Sequence, residues 1–260
     1  MRRFDRLEFE KPKETQVAPQ TMQRQEADHD DRHWMNLADE NRRLGLYESS
    51  LKYYSRALEV DKSQVGAWVG QVQMLIMLEE YPEAELWSRK ALELFKNNAE
   101  LMAARSQALC RTGDLKEAQA MCDTALGQQG QSAYPWVARG EIMVARKERI
   151  DEYCFDKAIG IDRDWMLLVE IAAIYLHYQR AAKALKRCRE AVEKAPDQVL
   201  CWYRQGMCEL ALDMPAAARK SFMRCLQVHP NHADAKAQLE LMNQNEATVW
   251  GAVRKMFKWS

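Results

Sequence analysis

Large side chains return along this chain at one interval. Trp34, Trp68, Met102, Trp136, Leu168 and Trp202 stand 34, 34, 34, 32 and 34 residues apart. Three more rows keep that register: Ala57, Ala91, Ala125, Ala158, Ala191 and Cys225; the mostly small Ser50, Ala84, Ala118, Asp151, Ala184 and Ala218; and Tyr54, Ser88, Cys122, Phe155, Cys188 and Phe222. A fixed period in this range implies stacked copies of one supersecondary unit. No copy can bury its apolar face alone, so each must use its neighbours.

The inside of a unit is also readable. In YESSLKYYSRALEVDKS, Leu51, Tyr54, Ala57 and Leu58 recur at helical spacing, as do Trp34, Leu37 and Ala38 in the segment before it. Gly45 lies between these segments and Gly113 lies at the same place in the third unit, each able to make a tight turn. Pro82 and Pro215 fall near the start of a second helix, where a missing N–H costs little. Pro196 and Pro230 fall just past one and stop it. Each unit is therefore expected to be two antiparallel helices. With only 7 prolines and 10 glycines among 260 residues, the whole chain is expected to be all-α.

These rows resemble the tetratricopeptide repeat (TPR) family, best in WMNLADENRRLGLYESSLKYYSRALEVDKS and WVGQVQMLIMLEEYPEAELWSRKALELFKN. The resemblance covers residues 31–232 as six units and implies a right-handed α-solenoid, the TPR superhelix. The fourth unit departs most, being two residues short with Asp151 in the small row. Asn41 and Glu209 stand where other units have large apolar residues. Residues 233–246 read as a capping helix, with Ala235, Leu239 and Met242 on one face and Lys236, Glu240 and Asn243 away from it. A repeat array needs such a polar-backed end.

The resemblance implies that the first helix of each unit lines a concave groove for a partner peptide or helix. By register the lining starts with Met35, Asp39 and Arg42, then takes Val69, Gln73 and Ile76, and Ala103, Gln107 and Cys110. It continues with Val137, Glu141 and Val144, then Val169, Ala173 and Leu176, and ends with Tyr203, Met207 and Leu210. The Lys and Asn of the family's carboxylate clamp are missing from these rows, so a chaperone-tail adaptor is not expected. The C-terminal half of the lining is apolar. It either receives an amphipathic helix or is buried by the array's own turns. A further row holds Leu37, Gln71, Arg105, Arg139, Ile171 and Gln205. Buried arginines need partners, so Arg105 and Arg139 either reach solvent or pair internally, with Glu141 a nearby acid.

Lys plus Arg equals Asp plus Glu at 38 each, which argues against a general nucleic-acid binder. There is no phosphate-binding glycine loop and no GxSxG elbow, so no enzyme activity and no cofactor are expected. His29 and His33 have the spacing of a metal-binding pair, but HDDRH lacks the glutamate of that motif and no metal site is expected. His229 and His232 flank a proline turn and read as solvated. The seven cysteines lack CxxC spacing and read as small buried residues of a reducing compartment. No apolar run reaches a membrane span and the start has no secretory pattern, so a cytoplasmic location is the expectation.

The ends differ in character. Residues 1–30 are polar and read as a flexible lead-in, with FDRLEFE a short docking candidate. Residues 247–260 form a basic amphipathic tail. As a helix it would set Trp250, Val253 and Phe257 on one arc with Arg254 and Lys258 opposite, although Gly251 weakens it by about 1 kcal/mol. The tail folds back on the groove, docks on a partner, or lies on an anionic membrane surface. The expected function is a protein–protein interaction scaffold. The alternative is a membrane-peripheral assembly factor held by the tail, and self-association is a further route.

Overall fold

A computed structural model of the protein describes residues 30–128 and 132–244. Among the described residues the secondary structure is entirely helical. In chain order come α1 (Asp31–Leu44), α2 (Tyr47–Val60), α3 (Val65–Met77), α4 (Tyr81–Leu94), α5 (Ala99–Thr112) and α6 (Leu115–Leu126). They are followed by α7 (Tyr134–Ala145), α8 (Asp151–Ile161), α9 (Trp165–His177), α10 (Ala181–Lys194), α11 (Val199–Ala211), α12 (Pro215–Val228) and α13 (233–244). The described residues form two compact units that divide between Cys154 and Phe155. In the first, each helix from α1 to α7 packs on the next, and the first helices α3, α5 and α7 also meet in succession. In the second, α9 to α12 pack consecutively and α9 meets α11.

The helix starts follow from the sequence. Side chains of Asp30, Asn98, Asp114 and Asp164 accept backbone N–H bonds at 2.9–3.0 Å from His33, Leu101, Glu117 and Met166, satisfying donors that a helix start leaves open. The turns inside the pairs hold a row that sequence reading saw only at its two glycines. Gly45 and Gly113 are left-handed, with φ of 79° and 96°. So are Glu79, Lys147, Gln179 and Asp213, with φ between 56° and 63°. All six turns close the same way. The residue after each donates its N–H five residues back, as from Glu80 to the Leu75 carbonyl at 2.9 Å and from Met214 to the Glu209 carbonyl at 2.9 Å. This is the Schellman ending, normally built on glycine. At a non-glycine residue it costs on the order of 1 kcal/mol.

The fourth pair loses its two residues in two places. Ala118 follows the turn residue Gly113 by five positions, whereas Asp151 follows Lys147 by four. The second loss falls after α8, which has only 11 residues against 14 in α2, α4, α10 and α12.

In the first unit, the small row lets paired helices touch. Ser50 Oγ donates to the Ala38 carbonyl and Ser106 Oγ to the Ala118 carbonyl, both at 2.8 Å across a pair. Tyr54 is buried beneath Gly70, whose missing Cβ leaves room for its ring, and its hydroxyl donates to Asp39 at 2.5 Å. Burial raises the pKa of this phenol and keeps it protonated. The indole N–H of Trp68 donates to the Lys62 carbonyl in the preceding inter-pair turn at 2.9 Å. Trp202 repeats the bond in the second unit, to the Pro196 carbonyl at 2.8 Å.

In the second unit, Phe222 fills the place of Tyr54 and faces Gly206, where an added Cβ would lie 2.6 Å from its ring. Ala235, Leu239 and Met242 of α13 pack with Phe222 and Cys225. His232 is not the solvated loop residue that its sequence position implies. It is half-buried 4.9 Å from the Tyr203 ring, and its Nδ1 accepts the Ala235 N–H at 3.1 Å, capping α13. Burial lowers its pKa, His229 lowers it further and Asp234 opposes the shift. His229 is exposed. The seven cysteines are all free and buried. Burial pushes the thiols of Cys122, Cys201 and Cys225 up to about 12, and Cys188 Sγ lies 3.5 Å from Cys208 Sγ.

Candidate interaction faces on the first helices

The register positions assigned to the groove fall into two chemical sets. In the first unit they build a buried polar chain. Tyr134 Oη donates to Gln107 Oε1 at 2.6 Å, and Gln107 Nε2 donates to Glu141 Oε2 at 2.6 Å. Arg111 Nε completes the other carboxylate oxygen, and its guanidinium lies 5.8 Å from the Tyr81 ring. Glu141 has no exposed surface and Arg111 very little, so each charge depends on the other. Burial raises the Tyr81 phenol, while Arg111 pulls the other way. The apolar positions on either side of that row are buried as well: Val69, Ile76, Val137 and Val144. Gln73 is half-buried.

The arginine row resolves inward, through other acids than the sequence pointed to. Arg105 pairs with Glu117 at 2.8 Å and Glu85 at 3.7 Å, and Arg139 pairs with Asp123. Glu141 is instead held by Gln107 and Arg111, because it lies on the opposite side of its helix from that row. Gln205 donates to Glu209 at 3.0 Å, and Ser221 donates to the same carboxylate at 2.7 Å. That accounts for a buried glutamate where other pairs have an apolar residue.

In the second unit the same positions are apolar. Val169 is buried, while Leu176, Tyr203, Met207 and Leu210 on α9 and α11 remain partly open. Tyr203 packs on Phe222 at 5.9 Å between ring centres. Trp250, Val253, Arg254, Phe257 and Lys258 lie outside the described residues, as do residues 1–29. His33 rests edge-on against Trp34 at 5.1 Å, and no group of metal-ligating side chains gathers among the described residues. No described helix is long and apolar enough to cross a membrane.

Helix pairs repeated in one register, with no catalytic constellation among the described side chains, define a helical-repeat protein. A family model described as tetratricopeptide repeat matches residues 35–99. Tetratricopeptide repeat protein 1 of Schizosaccharomyces pombe is 24% identical over 239 residues, a match covering 83% of this chain and 23% of that protein. The chain thus spans less than a quarter of that relative. A thermophilic TPR protein of Thermus thermophilus superposes with a TM-score of 0.53 at 19% identity, covering 69% of this chain and 99% of that one. A tetratricopeptide repeat protein of Parabacteroides merdae gives 0.49 at 19% identity, covering 85% and 88%. Residues 35–99 thus match the tetratricopeptide repeat model, and the fold is that of TPR proteins. TPR repeats generally mediate protein–protein interaction, and proteins built from them are generally non-enzymatic scaffolds.

Proposed function

We propose that this protein is a non-enzymatic scaffold that docks a partner peptide or amphipathic helix on the first-helix face of its second unit. One observation carries the reading. Leu176, Tyr203, Met207 and Leu210 stay partly open on α9 and α11, while Val69, Ile76, Gln107, Val137, Glu141 and Val144 at the matching positions of α3, α5 and α7 are buried. Contiguous open apolar surface of this kind is the usual mark of a docking face, and an amphipathic helix satisfies it without unpaired backbone. Within that unit the buried Val169 shapes the wall beneath the face.

A photo-crosslinking residue at position 207 tests this in the full chain. A partner should be captured there, and Leu176→Glu with Leu210→Glu should abolish capture while helix content is retained. Capture that survives both charges sinks the assignment. A second reading, attachment to an anionic membrane, rests on the sequence of residues 247–260. Flotation with anionic vesicles should then require Trp250, Val253, Arg254, Phe257 and Lys258. Equal flotation of a chain ending at Glu246 removes that reading.

A further inference from the structure

The opposite side of the second unit carries a second surface of different chemistry. Its two outer helices are basic. α10 has five Lys or Arg residues against two acidic ones, and α12 has three against none. The register doubles the pattern. Lys186 and Lys220 stand 34 residues apart, as do Arg189 and Met223, and all four are exposed. Of the two acids on α10, Glu190 is tied to Arg187 at 3.0 Å, which leaves Glu193 as the only other acid on that helix.

Arg224 is also exposed and is held in place. Its Nη1 donates to Gln227 at 2.8 Å, and its guanidinium lies 5.8 Å from the Trp202 ring. A guanidinium fixed this way loses less freedom when it meets a carboxylate. Met223, 52% exposed, sits beside it as an apolar contact within the charges.

The outer helices of the first unit lack this arrangement. On α2, Arg56 is paired with Glu59 at 2.9 Å. On α4, Lys90 lies over the Trp87 ring, and three glutamates share the helix. On α6, the places of Arg189 and Lys220 are taken by Asp123 and Ala120. The charge is therefore a property of α10 and α12, not of the repeat.

We propose that the outer face of α10 and α12 is a docking site for an acidic amphipathic protein segment. Its carboxylates would meet Arg189, Lys220 and Arg224, and an apolar side chain would cover Met223. Charge complementarity selects this occupant. A nucleic acid needs a wider basic stripe and exposed aromatic rings for stacking, whereas these helices expose one methionine and the chain's charges balance. A bilayer needs a broad apolar face, which they do not present. This site does not depend on the first-helix reading.

The test uses the full chain and a fluorescein-labelled helical peptide of glutamate, leucine and alanine, followed by anisotropy. Binding should weaken steeply with added salt. Arg189→Glu, Lys220→Glu and Arg224→Glu together should weaken it by about tenfold or more, with the circular dichroism spectrum unchanged because all three side chains are exposed. Leu176→Glu with Leu210→Glu should leave peptide binding intact, which separates failure here from failure of the first-helix face. The proposal is overturned if the peptide does not bind at low salt, or if the triple variant binds it as the native chain does. It is also overturned if polyuridylate or phosphatidylserine vesicles bind more tightly than the peptide and lose binding in the same variant.

Discussion

One row of the repeat reads Asp39, Gln73, Gln107 and Glu141 in the first unit and Ala173 and Met207 in the second. The backbone register is the same and the chemistry is opposite. Where the row is polar, Gln107 and Glu141 bond to each other, Asp39 and Gln107 accept bonds from Tyr54 and Tyr134, and Gln107 and Glu141 are closed off from solvent. Where it is apolar, no directional bond draws the side chains together, and Met207 and its neighbours stay partly open. A repeat scaffold can thus use one position for internal cohesion at one end and for outward contact at the other.

The strongest way to break this contrast is Glu141→Ala. It would remove the carboxylate paired with the buried Arg111 guanidinium and an acceptor from Gln107, at a cost of about 3–5 kcal/mol. Hydrogen exchange in α3, α5 and α7 should rise accordingly, and unchanged protection would mean the polar chain holds nothing together. Gly206→Ala comes next. Its Cβ would meet the Phe222 ring at 2.6 Å, so overpacking should cost about 1–3 kcal/mol, read as a lower denaturation midpoint of the second unit.

A third test is pH. The pKa of His232 is lowered in the folded protein, so its stabilising effect is complete above the ordinary value of 6.5 and is lost as pH falls through the lowered value. Protonation removes the Nδ1 acceptor and puts a positive charge at a helix N-terminus. α13 should then lose about 1 kcal/mol of protection in acid. Amide exchange at Ala235 and beyond reports it, and His232→Asn, a good cap that does not titrate here, should flatten the dependence. The smallest effect is expected at the turns. Asp213→Gly and Glu79→Gly relieve left-handed strain and should each raise stability by up to about 1 kcal/mol, equally in the two units. A gain in only one unit would show that the turns are not equivalent.

Much of the fold was legible because periodicity is a statement about geometry. The rows through Trp34, Ser50, Tyr54 and Ala57 located the interiors of the pairs, since only fixed positions can face a neighbouring copy. The turn row was missed at Glu79, Lys147, Gln179 and Asp213. Sequence reading looks for glycine at a left-handed position, whereas the Schellman bonds hold other residues there. The role of Glu141 was missed for a different reason. Its partners Gln107 and Arg111 belong to the preceding pair, and register alone does not say which way a long side chain leans. The register signal was available: Gln107 and Glu141 are 34 residues apart, a polar couple in a row that ends apolar. His232 was misread because a histidine beside Pro230 looks like loop until the helix it caps is seen.

The buried thiols have one further consequence. Cys110, Cys122, Cys154, Cys188, Cys201, Cys208 and Cys225 lie on α5, α6, α8, α10, α11 and α12, with none on α1 to α4. Buried thiols are inert while the helices around them hold. Each becomes reactive only when its own helix pair opens, so the rate at which a small alkylating reagent marks each site counts those openings. The chain thus carries its own clocks for local opening, spread from the third pair to the last, without any introduced label.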